Sequence, residues 1–231
     1  GVSRTILGRR LAAPPLPTHH VERTDLLQRL DPSDDSAPRI CVVTAAAGSG
    51  KTTLLSSLVA NARVPAGWLA LEEMDADASV LYGHIEACLR RLIPGLPGVA
   101  QGSREAREAA AWDQVVAVLC DDLAMAHEQP LLLVLDQVER IGNHASCQRI
   151  LGSLVRYLPD HVRLVLAGRS IPVDLARERL AGRVLDLGKT DLALTPREVE
   201  HLLARTGSPA DARQALGIVA ATGGWAAGAA W

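Results

Sequence analysis

Aromatic side chains are scarce in this sequence, and phenylalanine is absent from all 231 residues. Four tryptophans and two tyrosines are present, whereas 48% of the residues are hydrophobic. The core must therefore be built mainly from leucine, valine, alanine and isoleucine. A chain of this length and composition can bury one sizeable core, or one main domain with a small appendage.

Paired cysteines are also lacking. The four cysteines form no C-x-x-C pair and have no histidine nearby at metal-ligand spacing; they are Cys41, Cys88, Cys120 and Cys147. This pattern argues against a zinc site and favours a reduced chain. We therefore expect a cytoplasmic location.

Long apolar runs and basic stripes are missing as well. No apolar run reaches the length of a membrane span, and the N-terminus lacks the basic and then apolar pattern of a signal peptide. The formal net charge is −2 and the pI is near 6.4, with arginines interspersed among acids. We therefore expect no membrane partner and no direct binding of nucleic acid by this segment.

The sequence does contain one strong loop motif. Residues 40–44 form a short β-branched run, and the small-residue loop after it ends in Gly-Lys-Thr and opens into an apolar helical pattern. A strand, a glycine-containing loop and a helix in this order predict a phosphate-binding loop. The glycines let backbone amides turn onto an anion, and the first amides of the helix have no partners of their own. The residues predicted to hold the phosphates are Ala46, Ala47, Gly48, Ser49, Gly50, Lys51, Thr52 and Thr53.

Lysine is rare in this chain, so its presence at this position of the loop is informative. The two lysines are Lys51 and Lys189, and arginine carries the other positive charge. A lysine directly after Gly50 indicates a position where a slim point charge must enter a phosphate cradle. We expect Lys51 to contact the β- and γ-phosphates and the Thr52 hydroxyl to bind Mg²⁺. Ala45 stands where glycine is usual, so a glycine-rich turn without a ligand is the alternative.

Five apolar runs, separated by helical patterns, predict the fold. The runs are residues 40–44, 67–71, 130–135, 162–167 and 183–187. They predict an α/β fold of the P-loop NTPase class, a five-stranded parallel sheet with helices on both faces, plus a small C-terminal helical unit. We expect an extended lead-in over residues 1–20, a nucleotide-binding domain over 21–190 and a helical subdomain over 191–231. The last residues resemble a helix cut off in mid-pattern, so we expect a fragment of a longer protein.

Polar residues are predicted at the carboxyl ends of three strands. Lys51 follows the first strand, Asp136 the third and Arg169 the fourth, and such ends converge on one crevice in a parallel sheet. We expect Asp136 to hold Mg²⁺ directly or through water, with an ordinary helix cap as the alternative. Arg169 is expected to donate to the γ-phosphate and so distinguish triphosphate from diphosphate, with a surface arginine as the alternative.

Gln137 occupies the place where many nucleotide hydrolases of this layout have a second acid. A glutamine orients the attacking water but cannot accept its proton. Glu139 would point elsewhere in a strand, and only a helical turn would bring it near. We therefore expect slow hydrolysis or none, which suits a switch better than a motor.

Aromatic and histidine side chains give weaker indications. His19 and His20 could border a base pocket, although paired histidines in a proline-rich segment are more often solvated. Trp225, near the end of the chain, indicates a core anchor rather than a ligand contact.

Seven segments, in this order and spacing, carry a family resemblance. They are Pro-x-x-Pro with Val21-x-Arg23-x-x-Leu26, Thr44-Ala-Ala-Ala-Gly-Ser-Gly-Lys-Thr-Thr-Leu-Leu, Trp68-Leu-x-Leu71-Glu-Glu-x-Asp75, Leu133-Val-Leu-Asp136, Leu164-Val-Leu-Ala-Gly-Arg169, Leu194-Thr-Pro-x-Glu198 and Gly223-Gly-Trp-Ala-Ala-Gly. Together they resemble the nucleotide-binding domain of MalT-like regulators. These are large ATP-binding regulators of the LuxR type, within the signal-transduction ATPases with numerous domains.

The resemblance implies an ATP/ADP switch. ADP would hold a closed resting form, and ATP with an inducer would favour an open form that self-associates and activates transcription. Lys51, Thr52 and Asp136 would hold MgATP. Arg169 would be the sensor arginine, and the region from Val21 to Arg23 would border adenine. Sensor repeats and a DNA-binding helix-turn-helix would lie outside this chain, so this chain alone should not bind an operator.

Two other interpretations stay open. One is an active ATPase or nucleotide-dependent transferase, whose substrate would enter over the loop at residues 93–103. The other is a pseudo-ATPase scaffold of another signalling protein, for example one fused to a kinase, that binds ADP permanently or binds nothing.

Overall fold

Five strands form one sheet at the centre of the computed structural model, which describes residues 8–34, 36–97, 111–205 and 211–226. The strands are β1 (Ile40–Thr44), β2 (Ala66–Ala70), β3 (Leu131–Asp136), β4 (Val162–Gly168) and β5 (Val184–Leu187). Their order in the sheet is β2-β3-β4-β1-β5, and every neighbouring pair is parallel. The predicted five-stranded parallel sheet is confirmed.

Helices connect the strands and extend beyond the last one. They are α1 (Thr24–Arg29), α2 (Lys51–Asn61), α3 (Ala78–Leu92), α4 (Trp112–Ala126), α5 (Ala145–Tyr157), α6 (Ala176–Leu180), α7 (Lys189–Leu192), α8 (Pro196–Arg205) and α9 (Ala212–Thr222). Two 3₁₀ turns, Glu73–Ala76 and Val138–Ile141, follow β2 and β3. Both turns stand at the carboxyl edge of the sheet, where strand ends converge.

Alternate residues of β3 face opposite sides of the sheet. Leu131, Leu133 and Leu135 belong to a core that also contains buried residues of α3, α4 and α5. Leu132 and Val134 belong to a second core with α1 and α2. A strand covered by helices on both faces has no polar face, which explains its continuous apolar sequence.

The apolar spacing over residues 75–92 predicts a helix capped by Asp75 or Asp77, and the second of these two residues is the cap. Asp77 caps α3, because its Oδ1 accepts from the amides of Ser79 at 2.9 Å and Val80 at 3.0 Å. The residues before it form the first 3₁₀ turn instead. The first seven residues of the predicted helix over 104–126, and most of the predicted loop over 93–103, lie outside the described residues.

The lead-in contains a buried anchor that the sequence did not predict. Residues 8–10 are helical rather than extended, and the Arg10 side chain is 4% exposed. Its guanidinium pairs with the fully buried Asp75 and donates to the Ala70 carbonyl from Nη2 at 3.0 Å. His84 Nδ1 lies 2.6 Å from the other carboxylate oxygen of Asp75. These contacts fix the lead-in to the carboxyl end of β2.

The last two helices form a small unit with its own apolar cluster, centred on Leu194, Val199 and Ala215. Thr195 and Glu198, three residues apart around Pro196, predict a capped helix start, and this cap is present at α8. The Thr195 amide donates to Glu198 Oε2 at 2.7 Å, and the Glu198 amide donates to Thr195 Oγ1 at 3.3 Å. The last two helices are the small helical unit predicted after the sheet, whereas α7 packs through Leu192 on the core that contains α1 and α2.

Candidate functional site

The loop between β1 and α2 has the backbone of an anion cradle. Gly48 and Gly50 have φ values of +74° and +84°, in the left-handed region that favours glycine. Across the described residues, the amides of Ala46, Ala47, Gly48 and Gly50 donate to no protein acceptor. Ala45 replaces the usual glycine without strain, since Gln137 is the one non-glycine residue with positive φ in the described chain. Unpartnered amides next to a helix N-terminus suit a phosphate group.

Lys51 lies against this loop. Its Nζ donates to the carbonyls of Ala45 at 2.6 Å and Ala46 at 2.8 Å. Burial lowers the pKa of the Lys51 ammonium, while the nearby carboxylates of Glu139 and Asp136 act in the opposite direction. Phosphate oxygens would offer this ammonium stronger, charge-assisted acceptors than the two carbonyls.

Thr52 and Asp136 stand side by side at the end of β3. Thr52 Oγ1 donates to Asp136 Oδ2 at 2.9 Å, and the Gln137 amide donates to Asp136 Oδ1 at 2.9 Å. Asp136 is 1% exposed, and burial raises the pKa of its carboxyl above the ordinary value. A hydroxyl and a carboxylate are hard oxygen donors, and Mg²⁺ needs few of them when phosphates and waters complete its shell. The residues present therefore fit a magnesium ion held together with a phosphate group.

Replacing Asp136 by asparagine is expected to stabilise the protein without ligand and to remove Mg²⁺-dependent nucleotide binding. At neutral pH the buried carboxylate is poorly solvated, whereas an amide of the same shape carries no charge. The amide oxygen can still accept from the Gln137 amide, and the amide nitrogen can donate to the Thr52 hydroxyl oxygen, which reverses that hydrogen bond. The melting temperature should rise, by about 2–4 °C for each kcal/mol gained in a domain of this size. ATP affinity, measured with Mg²⁺ and with a chelator, should become the same in both conditions.

The matched control is Asp186→Asn, because Asp186 is exposed on β5. It should leave both the melting temperature and the effect of Mg²⁺ unchanged. A lower melting temperature for Asp136→Asn would contradict the stated cost of the buried charge. A preserved effect of Mg²⁺ on ATP affinity would contradict the metal role.

The three predicted strand-end residues come together. Lys51, Asp136 and Arg169 line one cavity of about 500 Å³. The other residues that line it are Ala47, Gly48, Ser49, Gly50, Thr52, Thr53, Gln137, Glu139, Arg140, Gly168 and Ala226. Ala46 does not line this cavity; its carbonyl accepts from Lys51 Nζ and, at 2.7 Å, from Ser49 Oγ. Ala46 therefore contributes by holding two of its neighbours in the loop.

Glu139 lines the same cavity. A residue three positions after Asp136 can reach it only if a helical turn follows the strand. The second 3₁₀ turn supplies it, beginning at Gln137 with φ +60°. Glu139 Oε1 accepts from Arg169 Nε at 3.0 Å, and the Glu139 side chain is 14% exposed. Gly168 makes room for it, since a Cβ at that position would clash with the carboxylate. No signal in the sequence distinguishes this turn from an extended exit of β3.

A second cavity, of about 410 Å³, adjoins the first and has mainly apolar walls. Both cavities are lined by Ser49, Gly50, Thr53 and Ala226. The other residues that line the second are Pro17, Thr18, His19, His20, Val21, Arg23, Leu54, Ser57, Leu192, Leu194 and Leu202. An apolar cavity next to an anion cradle fits the flat base of a nucleotide. Val21 and Arg23, the residues that the family resemblance places beside adenine, both line this cavity.

The charged end of Arg23 is engaged with the protein itself. Its Nη1 donates to the Leu192 carbonyl at 3.1 Å, and its Nη2 donates to the Asp191 carbonyl at 2.8 Å. Its Nε lies 2.6 Å from Glu198 Oε1. Arg23 therefore joins the segment before α1 to α7 and α8, and it forms a wall of the second cavity.

Trp225 contacts the phosphate loop, so its prediction as a core anchor is wrong. Its side chain is 44% exposed, and its Nε1 donates to the Ala47 carbonyl at 3.0 Å. Gly223 ends α9 with φ +62°, and Gly224 has φ +73°. A Cβ on Gly224 would lie 2.8 Å from the backbone nitrogen and oxygen of Leu194. The position of Trp225 depends on these two glycines. The general preference of tryptophan for burial could not predict it.

The part of the chain that the structure describes contains neither a membrane-spanning helix nor a cluster of metal-binding side chains. No helix there combines the length and hydropathy needed to cross a bilayer. Within those same residues, no group of three or more histidine, cysteine, aspartate or glutamate side chains is arranged to hold a metal ion. The four cysteines are free and buried.

Three comparisons relate this chain to known proteins. Residues 20–166 match the family described as the AAA ATPase domain. Over 219 residues the chain is 29% identical to the HTH-type transcriptional regulator MalT of Cronobacter sakazakii (strain ATCC BAA-894), which covers 94% of this chain and 24% of that protein. The chain thus spans about a quarter of the length of this relative. A solved structure described as "Structural Basis for Katanin Self-Assembly" matches 89% of this chain and 64% of its own, with a TM-score of 0.46 and 11% identity.

Proposed function

Because this chain belongs to the AAA ATPase domain family, we propose that it is the ATP- and ADP-binding switch module of a MalT-like transcriptional regulator. The resemblance to the nucleotide-binding domain of these regulators is confirmed by the similarity to MalT along 94% of the chain. One observation carries the proposal: Lys51, Asp136 and Arg169, from three distant segments, line one cavity beside an apolar one. That arrangement offers separate places for a polyphosphate, a metal ion and a base.

Each part of the site has a proposed role. The amides of the loop hold the phosphates, and Lys51 leaves the two loop carbonyls to contact the β- and γ-phosphates. Thr52 and Asp136 hold Mg²⁺, which neutralises phosphate charge when it is bound with the nucleotide. The adenine lies in the second cavity beside Val21, with the aliphatic part of Arg23 as a wall. Arg169 donates to the γ-phosphate.

A switch with slow hydrolysis or none agrees with the residues around Asp136. Gln137 orients water without accepting its proton, and the acid that does enter the cavity, Glu139, is paired with Arg169. The inducer, the sensor repeats and the DNA-binding domain belong to segments outside this chain. Self-association in the ATP state and a cytoplasmic location complete the proposal. This module itself makes no contact with nucleic acid.

Extraction of nucleotide from the purified, folded protein tests the proposal. We expect chromatography to identify ADP or ATP in the extract, and we expect MgATP and MgADP to raise the melting temperature of the nucleotide-stripped protein. Absence of both effects would contradict the proposal and favour a scaffold. Several turnovers of ATP per second without a partner would also contradict it and would favour an active ATPase.

A further inference from the structure

Among the residues that the structure describes, Glu139 has a partner for one carboxylate oxygen and none for the other. Oε1 accepts from Arg169 Nε at 3.0 Å, while the buried Oε2 has no hydrogen-bond partner in that part of the chain. The side chain is 14% exposed and lines the same cavity as Lys51 and Asp136. An unpaired polar atom in a buried position is unfavourable, so its presence in a polar cavity indicates a group that awaits a donor.

The backbone delivers Glu139 to this position by an unusual route. Gln137 adopts φ +60°, a conformation that non-glycine residues seldom take. This residue turns the chain at the end of β3 into the 3₁₀ turn, so that the residue two positions later faces the phosphate loop. Gly168 leaves the necessary space, since a Cβ there would meet Glu139 and, at 3.2 Å, Val138 Cγ2. Backbone strain of this kind concentrates at functional sites.

From this geometry we propose that Glu139 is the acid that deprotonates the attacking water, and that its ion pair with Arg169 restrains it until a triphosphate binds. The inference rests on the proposed function of the site. Arg169 is 59% exposed and thus free to exchange partners at low cost. A γ-phosphate carries more charge than one carboxylate and draws the guanidinium away from Glu139. ADP lacks that group and leaves the pair intact.

The proposed chemical step is a hydrolysis. The Glu139 carboxylate accepts one proton from water while the water oxygen forms a bond to the γ-phosphorus. The bond from the γ-phosphorus to the oxygen that bridges to the β-phosphate breaks, and its electron pair stays on ADP. The products are ADP and inorganic phosphate, and Glu139 returns its proton to solvent.

Equilibrium binding of ATP and ADP, both with Mg²⁺, tests the ion pair by calorimetry without any turnover. Glu139→Gln frees Arg169 and should tighten ATP binding about two- to fivefold while leaving ADP affinity unchanged. Arg169→Gln should weaken ATP binding about tenfold and leave ADP affinity unchanged. The double variant should match Arg169→Gln, because Glu139 acts on binding through that arginine.

Glu73→Gln is the matched control for the change of charge. Glu73 pairs with Arg140, which lines the same cavity, at 3.5 Å, and its side chain is 88% exposed. This variant also removes one carboxylate and frees one arginine. The ratio of ATP to ADP affinity should nevertheless stay at the parental value. If this ratio increased as much as it does in Glu139→Gln, the loss of any nearby negative charge would explain the effect, and the proposal would be overturned.

Single-turnover release of phosphate from bound ATP tests the acid. Glu139→Gln should release phosphate about 100-fold more slowly than the parent although it binds ATP more tightly. Tighter ATP binding together with slower phosphate release indicates a catalytic role for Glu139. A purely structural role would lower both the ATP affinity and the release rate. Equal release rates would overturn the proposal. So would a parent that binds MgATP and releases no phosphate within a day, and in that case the switch function would still stand. A parent that binds neither nucleotide refutes the proposed function itself.

Discussion

Lys51→Ala is expected to weaken MgATP binding at least about 100-fold without unfolding the protein. The ammonium makes charge-assisted hydrogen bonds worth about 1.5–3 kcal/mol each, and two phosphates would accept them. Among the described residues, the Lys51 ammonium donates hydrogen bonds only to the carbonyls of Ala45 and Ala46. Its side chain has no place in either core. Calorimetric titration should therefore show the loss of affinity, while the melting temperature without nucleotide changes little.

Lys189→Ala is the control that this chain offers, because Lys189 is the other lysine and lies exposed at the start of α7. Its ATP affinity should stay within twofold of the parent. If Lys51→Ala bound MgATP as tightly as Lys189→Ala, the assignment of the loop as a phosphate cradle would be wrong. A collapse of the melting temperature in Lys51→Ala would show that the lysine is a structural residue.

Arg10→Ala is expected to lower the free energy of unfolding by about 3–5 kcal/mol, the cost of leaving one member of a buried ion pair alone. Asp75 is fully buried, and from the described residues its carboxylate would keep the His84 ring and the Glu72 amide as hydrogen-bond partners. The Ala70 carbonyl at the end of β2 would also lose two donors. Urea unfolding without nucleotide measures the loss.

Two further variants test whether the ion pair between Arg10 and Asp75 causes this loss of stability. Arg9→Ala removes the exposed neighbouring arginine and should change the free energy of unfolding by less than about 0.5 kcal/mol. Arg10→Ala combined with Asp75→Asn should recover part of the loss, because the amide carries no charge that needs a partner. A double variant less stable than Arg10→Ala alone would contradict the stated cost of leaving the Asp75 charge unpaired.

The sheet was predictable because its signal is continuous and local. A strand buried on both faces needs apolar residues at every position, so runs such as residues 131–135 predicted both the strand and the helices that cover it. The phosphate loop was predictable for a similar reason, since its small residues and Lys51 are adjacent in sequence. Parallel pairing then placed Asp136 and Arg169 at the same edge.

The remaining features depend on backbone conformation or on contacts between distant residues. Glu139 reaches the cavity only because Gln137 takes a left-handed conformation, which its residue type disfavours. Arg10 is buried only because Asp75 lies 65 positions away in a matching place. Trp225 meets the loop through two successive glycines with positive φ. None of these has a periodic pattern, so hydrophobic spacing and local motifs could not reveal them.

The place of β1 within the sheet has a consequence for how the molecule opens. β1 pairs with β4 on one side and β5 on the other, whereas β2 and β5 form the edges. Amide protons of β1 should exchange with deuterium only in the most complete openings, and those of the partly exposed β5 in smaller ones. The phosphate loop therefore follows directly after β1, which we expect to be one of the last segments to unfold. We therefore expect the phosphate loop to keep its structure, and nucleotide binding to persist, when the edge strands β2 and β5 open locally.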